Sequence, residues 1–344
     1  MSSTNSHYAP VREDWLARHA EEPLDPALPI VDPHHHLWDR PGWRYLLPEL
    51  LADTGQGHTI IATVFVQCRA MHRADGPEAM QPIGETEFAN GVAAMSASGL
   101  YGPIRACAGI VSHANLTLGA AVRPVLEAHI AAGNGRFRGI RHITSWDADE
   151  SLITPGYATP GDILYREEFR AGFAQLAPLG LSFDAWLYHP QIPDLTALAR
   201  AFPETPIVLD HVGGPLGIKA YAGKRDAVFA EWRAAMAELA TCPNVSVKLG
   251  GLGMRINGFG FEERVEPPDS DTLAAAWKPY INSTIELFGA ARCMFESNFP
   301  VDKGSYSYGV FWNACKKLAA GASAEERHAL FSGTASRFYR LGLA

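Results

Sequence analysis

Cysteine is scarce: five in 344 residues, at positions 68, 107, 242, 293 and 315, an odd number with no C-x-x-C pair. That excludes a disulfide framework and a thiolate zinc site, and it is the usage of a reducing compartment. Positive charge is also short, with 29 Lys+Arg against 37 Asp+Glu and a net charge of −8. Without a basic run or a basic balance, nucleic acid is excluded as the main partner. No stretch approaches the uninterrupted apolar length of a membrane span. Residues Met1 to Glu22 are polar and carry Arg12, Glu13 and Asp14 where a signal peptide needs an apolar core. The expectation is a cytoplasmic protein acting on a small molecule, with no nucleic-acid or membrane partner; a homo-oligomer is compatible with the composition.

With 47% hydrophobic and 19% charged residues, the chain has the balance of a globular protein. Short β-branched runs alternate with Ala/Leu/Glu-rich amphipathic stretches. Eight strands are predicted: Pro29–Asp32, His58–Gln67, Ile104–Val111, Phe137–Ile143, Leu181–Leu187, Pro206–Asp210, Val245–Leu249 and Arg292–Glu296. Several are near-continuous apolar runs, as expected of parallel strands covered on both faces. Between Asp226 and Ala240, Val228, Phe229, Trp232, Met236 and Leu239 form one helical stripe. Ser323 followed by Glu326 has the spacing of a capping box opening the last helix, with Arg337 near its end. Eight such alternations predict an α/β fold, a (β/α)8 TIM barrel over residues 29–344 in a single domain, preceded by a helical arm over 1–28 around Trp15 and Leu16. A doubly wound sheet is the alternative, but the first strand runs into Pro33 and three histidines where that fold carries a glycine-rich fingerprint.

In a barrel, polar residues at the C-terminal strand ends face the active site. Here those ends carry His34-His35-His36, Gln67 and Arg69, His113, Arg141 and His142, His189, His211, Lys248 and Asn298. Residues i and i+2 of a strand share a side, so His34 and His36 can grip one cation while His35 points away. Neutral imidazole suits zinc, iron, manganese or nickel. His189 and His211 each follow a later strand. Gly213-Gly214 beside His211 leaves backbone close to the site.

The segments Val31–Asp39, Gly139–His142, Leu209–Gly213 and Met294–Pro300 together resemble the amidohydrolase superfamily. The branch they resemble is the amidohydrolase-related one that includes L-fuconolactonase, sulfomuconolactone hydrolase and pyrone-dicarboxylate lactonase. The resemblance implies a distorted (β/α)8 barrel with one metal ion held by the His-x-His pair and a histidine of strand five or six, here His34, His36 and His189 or His211. Two departures stand out. The last-strand aspartate, ligand and general base in the family, is matched by Asn298, whose carboxamide offers an oxygen but takes no proton. The fourth-strand lysine of dinuclear members has no counterpart between Phe137 and Trp146, which excludes a lysine-bridged metal pair.

The expected activity is that of a metal-dependent hydrolase opening a lactone, ester or thioester, with one divalent ion, zinc first and iron or manganese next. His34, His36, His189 and Asn298 are the expected ligands and His211 the base, with His189 and His211 open to exchange of roles. Arg141 is an expected catalytic group; Arg69 and His142 would bind substrate, and Arg73 is a further candidate for anionic groups. Glu85, Glu87 and Asp147 are the carboxylates through which a second ion could bind, and Asp302 reads as loop. The stretch Gly250–Gly260 reads as a mobile loop over the barrel mouth. A metal-dependent decarboxylase, a non-haem iron enzyme and a non-catalytic barrel subunit are the alternative readings.

Overall fold

The computed structural model describes residues 8–153, 156 and 158–343. Eight parallel strands lie side by side in chain order: β1 (Ile30–His35), β2 (Ile60–Val66), β3 (Arg105–Ser112), β4 (Phe137–Ile140), β5 (Ser182–Ala185), β6 (Ile207–Leu209), β7 (Val245–Leu249) and β8 (Cys293–Phe295). Each is followed by a helix packed outside the sheet, from Leu47–Thr54 after β1 to Tyr308–Leu318 after β8. All eight predicted strands are present, and the chain is a (β/α)8 barrel. A small hairpin of Trp38–Arg40 and Trp43–Tyr45 follows β1. No helix among the described residues is long and apolar enough to cross a membrane.

The barrel is nearly closed, and its seam is made by few groups. His36 N–H reaches the Phe299 carbonyl at 2.8 Å and Asn298 N–H reaches that of His34 at 3.0 Å, with an isolated parallel bridge from His35 to Phe299. Asp32 completes the join. Its buried carboxylate accepts Ser297 N–H at 3.0 Å, Ser297 Oγ–H at 2.6 Å and Tyr308 O–H at 2.9 Å. Ionised carboxylates are acceptor-only groups, so all three donors depend on this one side chain.

Inside the barrel, small and branched side chains (Val31, Ala62, Val64, Val66, Val111, Val208) fill the axis. Tyr339, just past the helix Thr334–Phe338, joins this inner cluster and sends its hydroxyl to Asp184 Oδ2 at 2.6 Å. The stripe read between 226 and 240 is the helix Arg225–Leu239, which buries Val228, Trp232, Met236 and Leu239. The capping box is present, with Ser323 N–H on Glu326 and Glu326 N–H on Ser323 Oγ.

The N-terminal arm differs from expectation. Its helix contains Trp15 and Leu16 as expected, but among the described residues of the arm only Glu13–Leu16 is helical, one turn. Pro10, Pro23, Pro26 and Pro29 limit it, since each ring removes a donor and obstructs a continuing helix. The arm is nonetheless fixed: Trp15 and Leu16 are buried, Trp15 Nε1–H bonds the Val265 carbonyl at 3.0 Å, and Glu21 accepts Ser270 N–H at 2.7 Å and Asn313 Nδ2–H at 2.9 Å.

Two outcomes follow. Asp32→Ala leaves the Ser297 and Tyr308 donors unpaired in the interior and should cost about 3–5 kcal/mol in urea denaturation, against about 1 kcal/mol for Tyr308→Phe. Burial alone would raise the Glu21 carboxyl, but hydrogen bonds from the Ser270 side chain and backbone and from Asn313 outweigh it and hold it at about 2, below the ordinary 4.5. A depressed folded-state value means stability that is present above the unfolded value and lost as pH falls toward 2. Melting curves across that window should show the loss in the parent and a smaller one in Glu21→Gln.

Candidate metal centre and active site

β1 continues past Asp32 and carries His34 fully buried into the barrel. Its Nδ1 lies 2.8 Å from Glu296 Oε2 and 3.1 Å from Lys248 Nζ, and its Nε2 lies 3.2 Å from Arg141 Nη1. A guanidinium only donates, so Nε2 faces it with its lone pair, while Nδ1 faces the Glu296 carboxylate and the Lys248 ammonium together. Burial and the Lys248 ammonium push the imidazole down to about 4, against the pull of Glu296, so the ring is neutral. Glu296, directly after β8, turns its other oxygen to His211, accepting the backbone N–H at 3.1 Å and Nδ1 at 2.6 Å. One carboxylate therefore lies against Nδ1 of both imidazoles, which leaves His211 Nε2 as a donor toward a cation, while His34 Nε2 takes the Arg141 N–H.

The conformation at His211 is strained. His211 and Val212 both have positive φ, 54° and 47°, which a β-branched residue rarely adopts. Such residues cost about 1–3 kcal/mol each. Two hydrogen bonds to Glu296 hold His211, and Trp232 Nε1–H holds the Val212 carbonyl at 2.7 Å. Gly251 is required beside them: a Cβ there would lie 2.3 Å from His211 Nδ1. The stretch read as a mobile loop thus begins as packed wall, with Gly250–Leu252 buried against His211 and Glu296.

Beneath the histidines lies a buried charge network. Lys248 Nζ is 2.7 Å from Asp184 Oδ2 and 2.9 Å from Asp210 Oδ1, and Arg141 Nη1 is 3.4 Å from Asp210 Oδ2. Burial would lower the Lys248 ammonium, but Asp184, Asp210 and Glu296 raise it and keep it charged. Three carboxylates against two cations leave one negative charge in excess. Ligand atoms of His34, Asp210 and His211 all lie within 4.8 Å of one another, all three residues buried. Two imidazoles and a carboxylate in a site one charge negative fit a divalent cation.

The residues expected from the sequence distribute as follows. His34 and His211 meet; His211 is a member of the donor group itself. His36 lies beside His34, ring centroids 5.0 Å apart, with Nδ1 bonded to the Val66 carbonyl at 2.7 Å, but outside that group. The structure does not bring His189 to it. β5 stops at Ala185, Trp186 takes the place against His211 at 4.7 Å, and His189 opens the next turn, accepting Leu216 N–H at 3.3 Å and facing Tyr221. Asn298 lines the inner pocket with φ 56°, its Nδ2–H on Asp302 Oδ1 at 2.9 Å. Asp302, read as loop, is fully buried, because the turn Asp302–Gly304 folds back to Asn298, Gly253 and Tyr306. Glu85 is buried and accepts Cys68 N–H at 2.7 Å and Ala70 N–H at 3.0 Å. Glu87 pairs with Arg73 on the surface, and Asp147 with Tyr221. None of these three carboxylates joins the metal-donor group among the described residues. Asp210 and Glu296, which are not among the residues expected from the sequence, stand directly after β6 and β8.

The inner pocket, about 40 Å³, is lined by His36, Arg141, His211, Asn298, Trp38 and, from the arm, Tyr8. An outer cavity of about 850 Å³ lies beside it, lined by Arg69, His72, His113, Asn115 and His142 among others, and Ile143 borders both.

Residues 31–341 match the amidohydrolase family, and the chain belongs to it. An uncharacterised protein, y4mH, of Sinorhizobium fredii is 33% identical over 334 residues, 91% of this chain and 98% of that one. An L-fucono-1,5-lactonase of Burkholderia ambifaria is 32% identical over 216 residues, 61% of this chain and 63% of the lactonase. The crystal structure of an amidohydrolase from Burkholderia multivorans with bound zinc superposes with a TM-score of 0.69 at 26% identity, over 90% of this chain and 99% of that one. The protein is an enzyme of the amidohydrolase superfamily, a hydrolase.

Because Lys248 neutralises two buried acids, Lys248→Met should destabilise by about 3–5 kcal/mol. Adding Asp184→Asn should recover part of that, and a double-mutant cycle by urea denaturation reads the coupling.

Proposed function

We propose that this enzyme is a metal-dependent lactonase with zinc as its ion. The observation that carries the reading is the convergence of His34, Asp210 and His211 under the Glu296 clamp, supported by the likeness to an L-fucono-1,5-lactonase and to a zinc-bound amidohydrolase. A divalent ion held by these residues would supply the Lewis acidity that polarises a lactone carbonyl and acidifies water. Asn298, its amide nitrogen tied to Asp302, offers Oδ1 as a neutral oxygen donor.

The remaining groups have separable tasks. His36 donates Nδ1–H to the Val66 carbonyl, so its Nε2 lone pair accepts a hydrogen bond from the attacking water and aims it. Burial first, and the neighbouring His34 and Arg141, hold this imidazole well below the usual histidine range and therefore neutral. Arg141 is anchored through Nη1 and through Nη2 to the Gln67 carbonyl, while its buried Nε has no partner. That N–H donates to the oxygen on which negative charge develops as the ring opens. Tyr8, Trp38 and Met254 restrict water around the reacting carbonyl.

Elemental mass spectrometry on protein purified without chelator should find one zinc per chain, and L-fucono-1,5-lactone is the hydrolysis probe. His34→Ala and His211→Ala should each lose the ion and at least about 10²-fold in turnover while keeping the parent circular dichroism. His189→Ala should retain metal. Full metal content in His34→Ala, or hydrolysis unmoved by chelator, would overturn the reading. Iron with oxygen uptake would redirect it to oxygen chemistry.

A further inference from the structure

The outer cavity contains two imidazoles whose proton positions are set by the backbone in opposite senses. His113 follows β3, and its Nδ1 lies 3.3 Å from the carbonyl oxygen of Arg141. A carbonyl only accepts, so the proton is on Nδ1 and the lone pair on Nε2. His142 is the reverse. Its Nδ1 receives Leu116 N–H at 3.3 Å, so in the neutral ring the proton is on Nε2. The rings meet edge to face with centroids 5.2 Å apart, and both line the cavity. In both rings Nδ1 is the atom bound to the backbone, which leaves Nε2 as the polar atom for a ligand.

The pair is braced from behind. His129 Nε2 binds the His113 carbonyl at 3.0 Å, and its Nδ1 binds Thr86 Oγ1 at 2.7 Å, which in turn meets Ser112 Oγ at 2.6 Å. Phe169 packs on His142 at 5.4 Å. Burial lowers both imidazoles, His113 to about 4 and His142 to about 3, so neither carries charge at neutral pH. What this pair presents is one acceptor beside one donor, both neutral and both fixed, with Arg69 and His72 elsewhere on the cavity wall.

That pattern matches a hydroxyl group, which accepts and donates at once. A carboxylate does not match it, because it has no proton for His113 Nε2 and would meet that lone pair with its own. The cavity borders the inner pocket at Ile143, so a molecule reacting at the inner site can extend into it. We propose that the His113–His142 pair reads a hydroxyl-bearing arm of the substrate, and that the lactone this site takes is a polyhydroxylated, sugar-type lactone. The inference rests on the lactonase reading for the identity of the reacting group, though the hydroxyl recognition itself is a binding property.

The test uses a sugar δ-lactam, an amide analogue that resists hydrolysis, in calorimetric titration, and a kcat/KM ratio for a sugar δ-lactone over δ-valerolactone. His113→Asn and His142→Asn each keep an amide atom where Nδ1 meets the backbone and delete the Nε2 group. Each should raise the lactam Kd about tenfold and lower the kcat/KM ratio by a similar factor. His142→Gln, which returns an N–H near the lost Nε2, should restore part of the affinity, an effect a merely structural role would not give. Thermal melting shows which variants are folded, and only folded ones are compared. No lactam binding to the parent, equal affinity in parent and variants, or a preference for δ-lactones bearing carboxylates would overturn the proposal. Lactam binding that the variants weaken, with no lactone hydrolysed, would uphold the hydroxyl recognition and sink the lactonase reading instead.

Discussion

The clamp of Glu296 on two imidazoles is the interaction on which the site depends. It reaches from β8 to β1 and to the turn after β6, lying against Nδ1 of His34 and fixing the tautomer of His211. The same carboxylate offsets the cost of two successive left-handed residues, His211 and Val212. Burial would raise the Glu296 carboxyl, but His211 and His34 outweigh that and hold it well below the ordinary range. An acid kept ionised in a dry interior is costly on its own, and it persists here because every neighbour was placed to meet it.

Around that clamp the barrel solves a problem of charge. Parallel strands make the interior apolar, yet Asp184, Asp210, Lys248 and Arg141 all occupy it. They are tolerated as a linked set, from the Tyr339 hydroxyl through Asp184 and Lys248 to Asp210 and Arg141. With Glu296 counted, three carboxylates stand against two cations, and the two imidazoles beside them add nitrogen donors of the kind a divalent metal takes.

Much of the architecture was legible in the sequence because periodicity reports what is buried. The runs around Ile60–Val66 and Val245–Leu249 are apolar on both faces, and only parallel strands with helices outside require that. The positions of His34, His36, Arg141 and His211 were legible for the same reason, as polar residues directly after such runs. What strand-end reasoning could not supply was tertiary distance. His189 looked equivalent to His211, but β5 ends early and Trp186 fills the place. Asp302 looked remote from Asn298 along the chain, and a tight turn brought it back. Asp210 and Glu296 carried the right signal, an acid at the first position past a strand, yet each sits inside a motif where a histidine or asparagine drew the attention. The brevity of the helix in the arm was written in its prolines.

The placement of these groups along the chain also orders their assembly. His34 stands near the beginning, and the acids and amides that hold it come far later, with a separation of 265 positions from Asp32 to the Ser297 it joins. On a ribosome, the first strand emerges long before the eighth exists, so its buried histidines have no partners while most of the barrel is being made. Loop closure over such a span is entropically unfavourable until the intervening elements have packed. The seam between the first and last strands therefore closes only once the eighth strand exists. An unfinished chain presents isolated imidazoles, and the grouping of His34, Asp210 and His211 arrives only with the strands that carry them.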